Sequence, residues 1–367
     1  MKDIRLARWA DVLVNYSLSV KKGDLMQIKS RYMADPLIQE VYQLAMQKGA
    51  NPYVTYRGEG LEEIFYKEAS KEQLEFLSDI EKLEIEKIDK YLYIITEFNQ
   101  KALSNYDPKK LSLRRKTTGY LLERRLDRAA EGLMQWSLTA YPDNAQAQDA
   151  EMSLDEYAEF IFAAGFLNDS NPVKKWLVLA HEQRRLVKIL SKMKKIRIKT
   201  KDTDLSLSVQ GRKWISCEGK ENFPDGEVFT TPLEDSVEGQ IYYSFPCLYS
   251  GREVTDVKLC FKQGQVVEAK ASKGEDYLKS MITMDSGAKR IGEFSFGTNY
   301  GITRFVKNTL FDEKIGGTIH LALGSCYPET GGKNKSSLHW DMVCDLRKDA
   351  EIIADGNVIY KNGKFTI

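Results

Sequence analysis

No stretch of this chain of 367 residues approaches the ~18 consecutive apolar residues of a membrane-spanning helix, so no membrane partner is expected. Charge of one sign is also lacking. The 54 basic and 53 acidic residues leave a formal charge of +1, which offers nucleic acid or an anionic surface no global field. Cysteine is sparse and unpatterned: Cys217, Cys247, Cys260, Cys326 and Cys344 are odd in number and contain no Cys-x-x-Cys pair. That argues against a disulfide framework and a thiolate zinc site, and for a reducing compartment. The opening Met-Lys-Asp-Ile-Arg-Leu-Ala-Arg is charged where a secretory signal is apolar, so the expected address is cytoplasmic. A Gly-rich phosphate loop, an internal repeat and a low-complexity tract are all missing, and histidine occurs only three times.

What is present is an ordinary globular balance, 42% apolar and 29% charged, at a length that suggests two domains. In the first half, helical and strand-like segments alternate. An amphipathic stretch Leu6–Leu18 precedes the apolar run Leu25–Ile28, a helix-like Pro36–Met46 and the strand-like Tyr53–Tyr56. A charged helical stretch Lys71–Lys87 and strand-like runs Tyr91–Thr96 and Leu133–Leu138 follow. This alternation predicts an α/β domain with a largely parallel sheet. Helices are expected over Asp143–Ala150, over Ser153–Ala164 with a capping box from Ser153 and Glu156, and over Asn171–Lys192 with Pro172 in the first turn. The basic cluster from Lys109 to Arg128, interleaved with leucines at helical spacing, reads as a solvated helix face. Beyond Lys195 the pattern turns to short alternating runs such as Ile196–Thr200, Leu205–Val209 and Val257–Phe261, with one helix over Asp276–Met284. The expected organisation is an α/β domain over 1–190, serving packing, dimerisation or cavity access. A β-rich α+β catalytic domain is expected over 191–367.

Two of the three histidines, His320 and His339, fall in a C-terminal stretch that also holds Glu293, Glu313, Tyr327 and Asp341. Imidazole and carboxylate together suit hydrolytic divalent metals, and about five or six such groups suffice for two neighbouring ions. In an extended strand His339 and Asp341 share a face while Trp340 points the other way; alone, a surface strand with two outward polar residues explains that triplet as well. His320 lies between Gly316-Gly317 and Gly324, which leaves room for close approach, although a hydrogen-bonded core histidine remains open. Glu227 and Glu293 each directly follow a glycine, and each taken singly reads as a turn carboxylate. His181, in the last helix of the first half, reads as structural or exposed.

Five strings occur together and in order: Asn222–Pro232, Arg290–Glu293, Asn308–Glu313, His320–Gly324 and Asn334–Asp341. With these, the chain resembles the thermophilic metallo-aminopeptidase family of the aminopeptidase T and aminopeptidase S type, a likeness that runs from Trp9 onward. The resemblance implies two divalent ions, whether zinc, cobalt or magnesium, with Glu227, Glu293, His320, His339 and Asp341 at ligand positions. It implies that Tyr327 is the catalytic tyrosine, and a peptide substrate with a free N-terminus attacked by a metal-activated water near Glu293. A cytoplasmic homodimer with an enclosed chamber is implied as well. Glu313 matches a family glutamate of unassigned role. Two other readings stand beside this one: a different metallohydrolase, such as a dipeptidase or amidohydrolase, and a non-catalytic scaffold with structural metal or none.

Overall fold

The computed structural model describes residues 3–367. The chain divides into two compact units, one formed up to Lys174 together with Gly219–Pro224, the other by Lys175–Glu218 together with Asp225–Ile367.

In the first unit, five parallel strands run in the order Asn51–Tyr56, Leu25–Ser30, Lys90–Ile95, Gln135–Ala140 and Asn222–Phe223. Helices connect the first four in chain order, as the alternation of apolar runs and helical segments predicts, and the fifth is reached only after a passage through the second unit. The expected helix over Lys71–Lys87 is in fact two, Lys71–Glu75 and Asp79–Lys87. Ser70 and Ser78 each begin a helix with a capping box, and Ser78 offers the chain a fresh start three residues after the first helix ends. The strand placed at Leu133–Leu138 lies two residues later, because Leu133 is exposed and Gln135 is the first residue to pair. The helix Leu61–Glu68 went unread; it buries no residue, so no apolar stripe announces it.

The basic cluster forms the helix Pro108–Ala130. Several of its cations serve the fold: Arg128 donates to the carbonyls of Ile85 and Ile88 at 2.6 and 2.7 Å, and Arg124 pairs with Glu86 at 2.5 Å. Trp9, fully buried, packs against Tyr141, Phe162 and Phe223 with ring centroids 6.1 to 6.2 Å apart.

The second unit is antiparallel and β-rich. An eight-stranded sheet runs from Gln265–Lys270 at one edge, through Glu238–Tyr243 and Lys195–Lys199, to Lys364–Phe365 at the other. A five-stranded sheet has the order His339–Asp345, Thr318–Gly324, Ile291–Gly297, Glu227–Thr230 and Ile215–Cys217. The two sheets contribute to one hydrophobic cluster that includes Ile198, Leu259, Phe294, Phe296, Leu321 and Trp340. Full burial of such side chains stabilises by roughly 1.5–3 kcal/mol each, which makes the five-stranded sheet a rigid support. Among the described residues no helix is long and apolar enough to cross a membrane.

Candidate metal centre

Side chains alternate between the faces of a strand, so the register of the five-stranded sheet decides what its outer face carries. Ala322 lies between Glu293 and Asp341, Gly324 opposite His339, Ser295 opposite His320, and Gly297 opposite Glu227. Glu227, Glu293, His320, His339 and Asp341 therefore share one face, interspersed with small residues, while Val228, Phe294, Leu321 and Trp340 enter the core from the other. Glu227 and Glu293 are thus strand residues and not the turn carboxylates that each resembles in isolation.

Both follow glycine for a physical reason. Gly226 adopts φ +127°, and a Cβ there would stand 2.6 Å from the Asn299 side chain. Gly292 occupies an irregularity in the ladder, where Ile291 pairs with Leu323 but Glu293 pairs with Ala322. That extra residue turns Ile291 into the core and Glu293 out of it.

The five side chains converge. His320 Nε2 lies 3.4 Å from Glu227 Oε2, 3.4 Å from Glu293 Oε1 and 4.0 Å from Asp341 Oδ1. His339 Nε2 lies 3.4 Å from Glu293 Oε2 and 3.4 Å from Asp341 Oδ1. The donors form two triads, Glu227–Glu293–His320 and Glu293–His339–Asp341, joined by the two oxygens of Glu293. Each imidazole is oriented by a carbonyl on its other nitrogen: His320 Nδ1 faces the Glu313 carbonyl at 3.2 Å and His339 Nδ1 the Ser325 carbonyl at 2.9 Å. Donation from Nδ1 leaves Nε2 as the free donor atom, the arrangement metal-binding histidines use. Asp341 Oδ1 is buried without a hydrogen-bond partner, and this orphaned oxygen, with the mixed carboxylate–imidazole set, fits a divalent cation.

The acids of the cluster also set the protonation of its other groups. Burial disfavours charge on His320, yet the hydrogen bond to Glu293 and the neighbouring carboxylates push it up to about 10. For His339, burial is likewise outweighed, by Asp341 and Glu293, and its value rises to about 12. Four carboxylates, Glu227, Glu293, Glu313 and Asp341, face one buried ammonium, that of Lys314, which lies 3.5 Å from Glu227 and also pairs with Glu313. Burial opposes the Lys314 charge, but Glu227, Glu313 and Asp225 hold its value well above the ordinary one. Glu313 itself is pushed up to about 8, chiefly by burial.

Tyr327 borders this cluster, its ring 5.3 Å from that of His339 and 5.1 Å from that of Phe229. Burial, reinforced by Glu293 and Asp341, holds its phenol well above the usual range, so it stays a proton donor. His181 is exposed on the helix Pro172–Leu190. A third acidic group, Cys217–Asp225–Glu227, adjoins the first triad, but burial keeps the Cys217 thiol protonated. Sequence reasoning missed Lys314, Ser295, whose hydroxyl donates to Glu227 Oε2 at 2.9 Å, and Gln183, which donates to the Glu227 carbonyl at 3.1 Å. Nothing in the local pattern marks these polar residues as buried partners.

An antiparallel sheet that presents paired carboxylate–imidazole triads offers the donor set of a metal-binding hydrolase. The family model described as thermophilic metalloprotease (M29) matches residues 2–365, and the chain belongs to that family. It is a metal-dependent peptidase, a hydrolase of peptide bonds. Aminopeptidase 2 of Geobacillus stearothermophilus is 26% identical, covering 98% of this chain and 95% of its own length. Aminopeptidase AmpS of Bacillus subtilis is 25% identical, with 98% of each chain covered. The solved structure of wild-type AmpT from Thermus thermophilus superposes with a TM-score of 0.86 at 22% identity, covers 99% of each chain and establishes the common fold.

Proposed function

We propose that this metallopeptidase is an aminopeptidase that releases the first residue of peptides with a free N-terminus, and that Glu227, Glu293, His320, His339 and Asp341 hold two divalent ions. The observation that carries this reading is the sharing of Glu293 between two triads, one through each carboxylate oxygen. The carboxylates of Glu227, Glu293 and Asp341, brought within reach of two imidazoles, form a donor set that suits a pair of divalent ions. Zinc or cobalt suits the imidazole content, and magnesium remains the harder alternative.

When bound, the ions supply Lewis acidity and a water acidified toward neutrality. The chain's own groups do the rest. The Tyr327 phenol donates to the oxygen of the scissile carbonyl and gains strength as negative charge develops there. A carboxylate of the cluster meets the substrate's α-ammonium, which restricts attack to the N-terminal bond. A cytoplasmic location, in keeping with five free thiols, and a homodimeric state belong to the same reading.

Metal analysis of the purified protein should give two ions per chain. Complete chelation should abolish release of N-terminal amino acids, metal add-back should restore it, and N-acetylated peptides should be refused. Full activity in the metal-free protein, or equal cleavage of acetylated peptides, would overturn the proposal.

A further inference from the structure

In a parallel α/β sheet, ligands collect outside the carboxyl ends of the strands, where the strand order reverses. The sheet of the first unit reverses at Leu25–Ser30, from which the chain moves first to Asn51–Tyr56 on one side and then to Lys90–Ile95 on the other. A cavity of about 670 Å³ opens there, lined by the residues that follow these three strands, among them Arg31, Arg57, Glu97 and Phe98.

Its chemistry is of both signs. Arg31 is buried, donates to the Gly58 carbonyl at 3.2 Å and to Glu97 Oε2 at 2.9 Å, and keeps a buried Nε–H without a hydrogen-bond partner. Arg57 pairs with Glu62, lies 3.3 Å from Glu97 and meets the Tyr93 hydroxyl at 2.5 Å. Glu59 and Glu63 add two further carboxylates to the lining, so two guanidinium groups face four acids. A phosphate is a poor occupant. The helix that follows the first strand carries the acidic Asp35 in its first turn, which disfavours a phosphate there, and no glycine-rich turn precedes it. A simple anion meets four carboxylates, and a simple cation meets two guanidiniums. A molecule with both charges, carboxylate to Arg31 and ammonium to the glutamates, is complementary to the whole lining. Ile95, Phe98, Ala102 and Leu103 supply an apolar wall for a side chain, with Phe98 under the Arg31 guanidinium at 5.9 Å.

We propose that this cavity is a binding site for a free apolar α-amino acid, composed of first-unit residues alone and sharing none with the metal centre. The ligand belongs to the product class of the activity proposed above, but the site does not depend on that reading.

The test is isothermal titration of the full-length, metal-loaded protein with L-leucine and L-phenylalanine. 4-Methylpentanoate, which lacks the ammonium, and isoamylamine, which lacks the carboxylate, serve as comparisons. Saturable binding of an amino acid is expected, with both comparison ligands and both variants Arg31→Met and Glu97→Gln weaker by about tenfold or more. Glu293→Gln should leave this binding in place. A diazirine analogue of leucine should label the segment 95–103, a readout that needs no variant to fold. No saturable binding, affinity unchanged in both first-unit variants, or label confined to the metal centre would each overturn the assignment.

Discussion

Tyr327 stands at the edge of the carboxylate–imidazole cluster with its phenol held protonated, beside His339 and outside both triads. In the function proposed above it contributes a hydrogen bond and not a ligand bond. Tyr327→Phe should lower kcat by about 10²–10³-fold, the effect of losing one oxyanion donor, while metal content measured by mass spectrometry stays near two ions per chain. Loss of metal in that variant would make Tyr327 a ligand. Lys314 acts differently: it touches Glu227 and Glu313 and supplies the lone buried ammonium beside four carboxylates. At this scale the sequence was informative about donors. Scarce histidines beside Asp341 and Glu293 were conspicuous, whereas Lys314 was one of many lysines, since burial leaves no mark on a single residue type.

The strand Ile291–Gly297 shows what an element adds to its residues. A two-residue period would put Ile291 and Glu293 on one face; the extra residue Gly292 separates them, so one strand serves both core and centre. A Cβ at Gly292 would lie 2.2 Å from the Ser325 carbonyl and 2.5 Å from that of Gly324, both backbone atoms that cannot swing aside. Gly292→Ala should therefore destabilise the protein by about 1–3 kcal/mol in urea denaturation and weaken metal retention, because Glu293 shifts with its strand. Stability and metal content both equal to wild type would show that the ladder tolerates the methyl. Helices with clear caps, such as Leu154–Ala164 with Ser153 and Glu156, were legible from local signals. The split at Phe76–Ser78 and the helix Leu61–Glu68 were not, since neither interrupts nor creates an apolar stripe.

Across the molecule, the candidate metal centre gathers its carboxylates and imidazoles from four strands that span Glu227 to Asp341. Ions bound only by the folded chain stabilise it by mass action. Chelation should lower Tm, and Tm should rise with free metal concentration in a thermal melt; a Tm indifferent to metal would mean that the cluster binds no ion tightly in the folded state. Composition and strand–helix alternation determined the α/β and β-rich character of the two parts, and scarce histidines near Glu293 and Asp341 pointed to a candidate metal site, because periodicity and residue type are local properties of a chain. Which face each carboxylate occupies, which carbonyl fixes each imidazole, which lysine is buried among the acids, and the cavity behind Arg31 were decided by strand register and by contacts between residues distant in sequence, which no local pattern encodes.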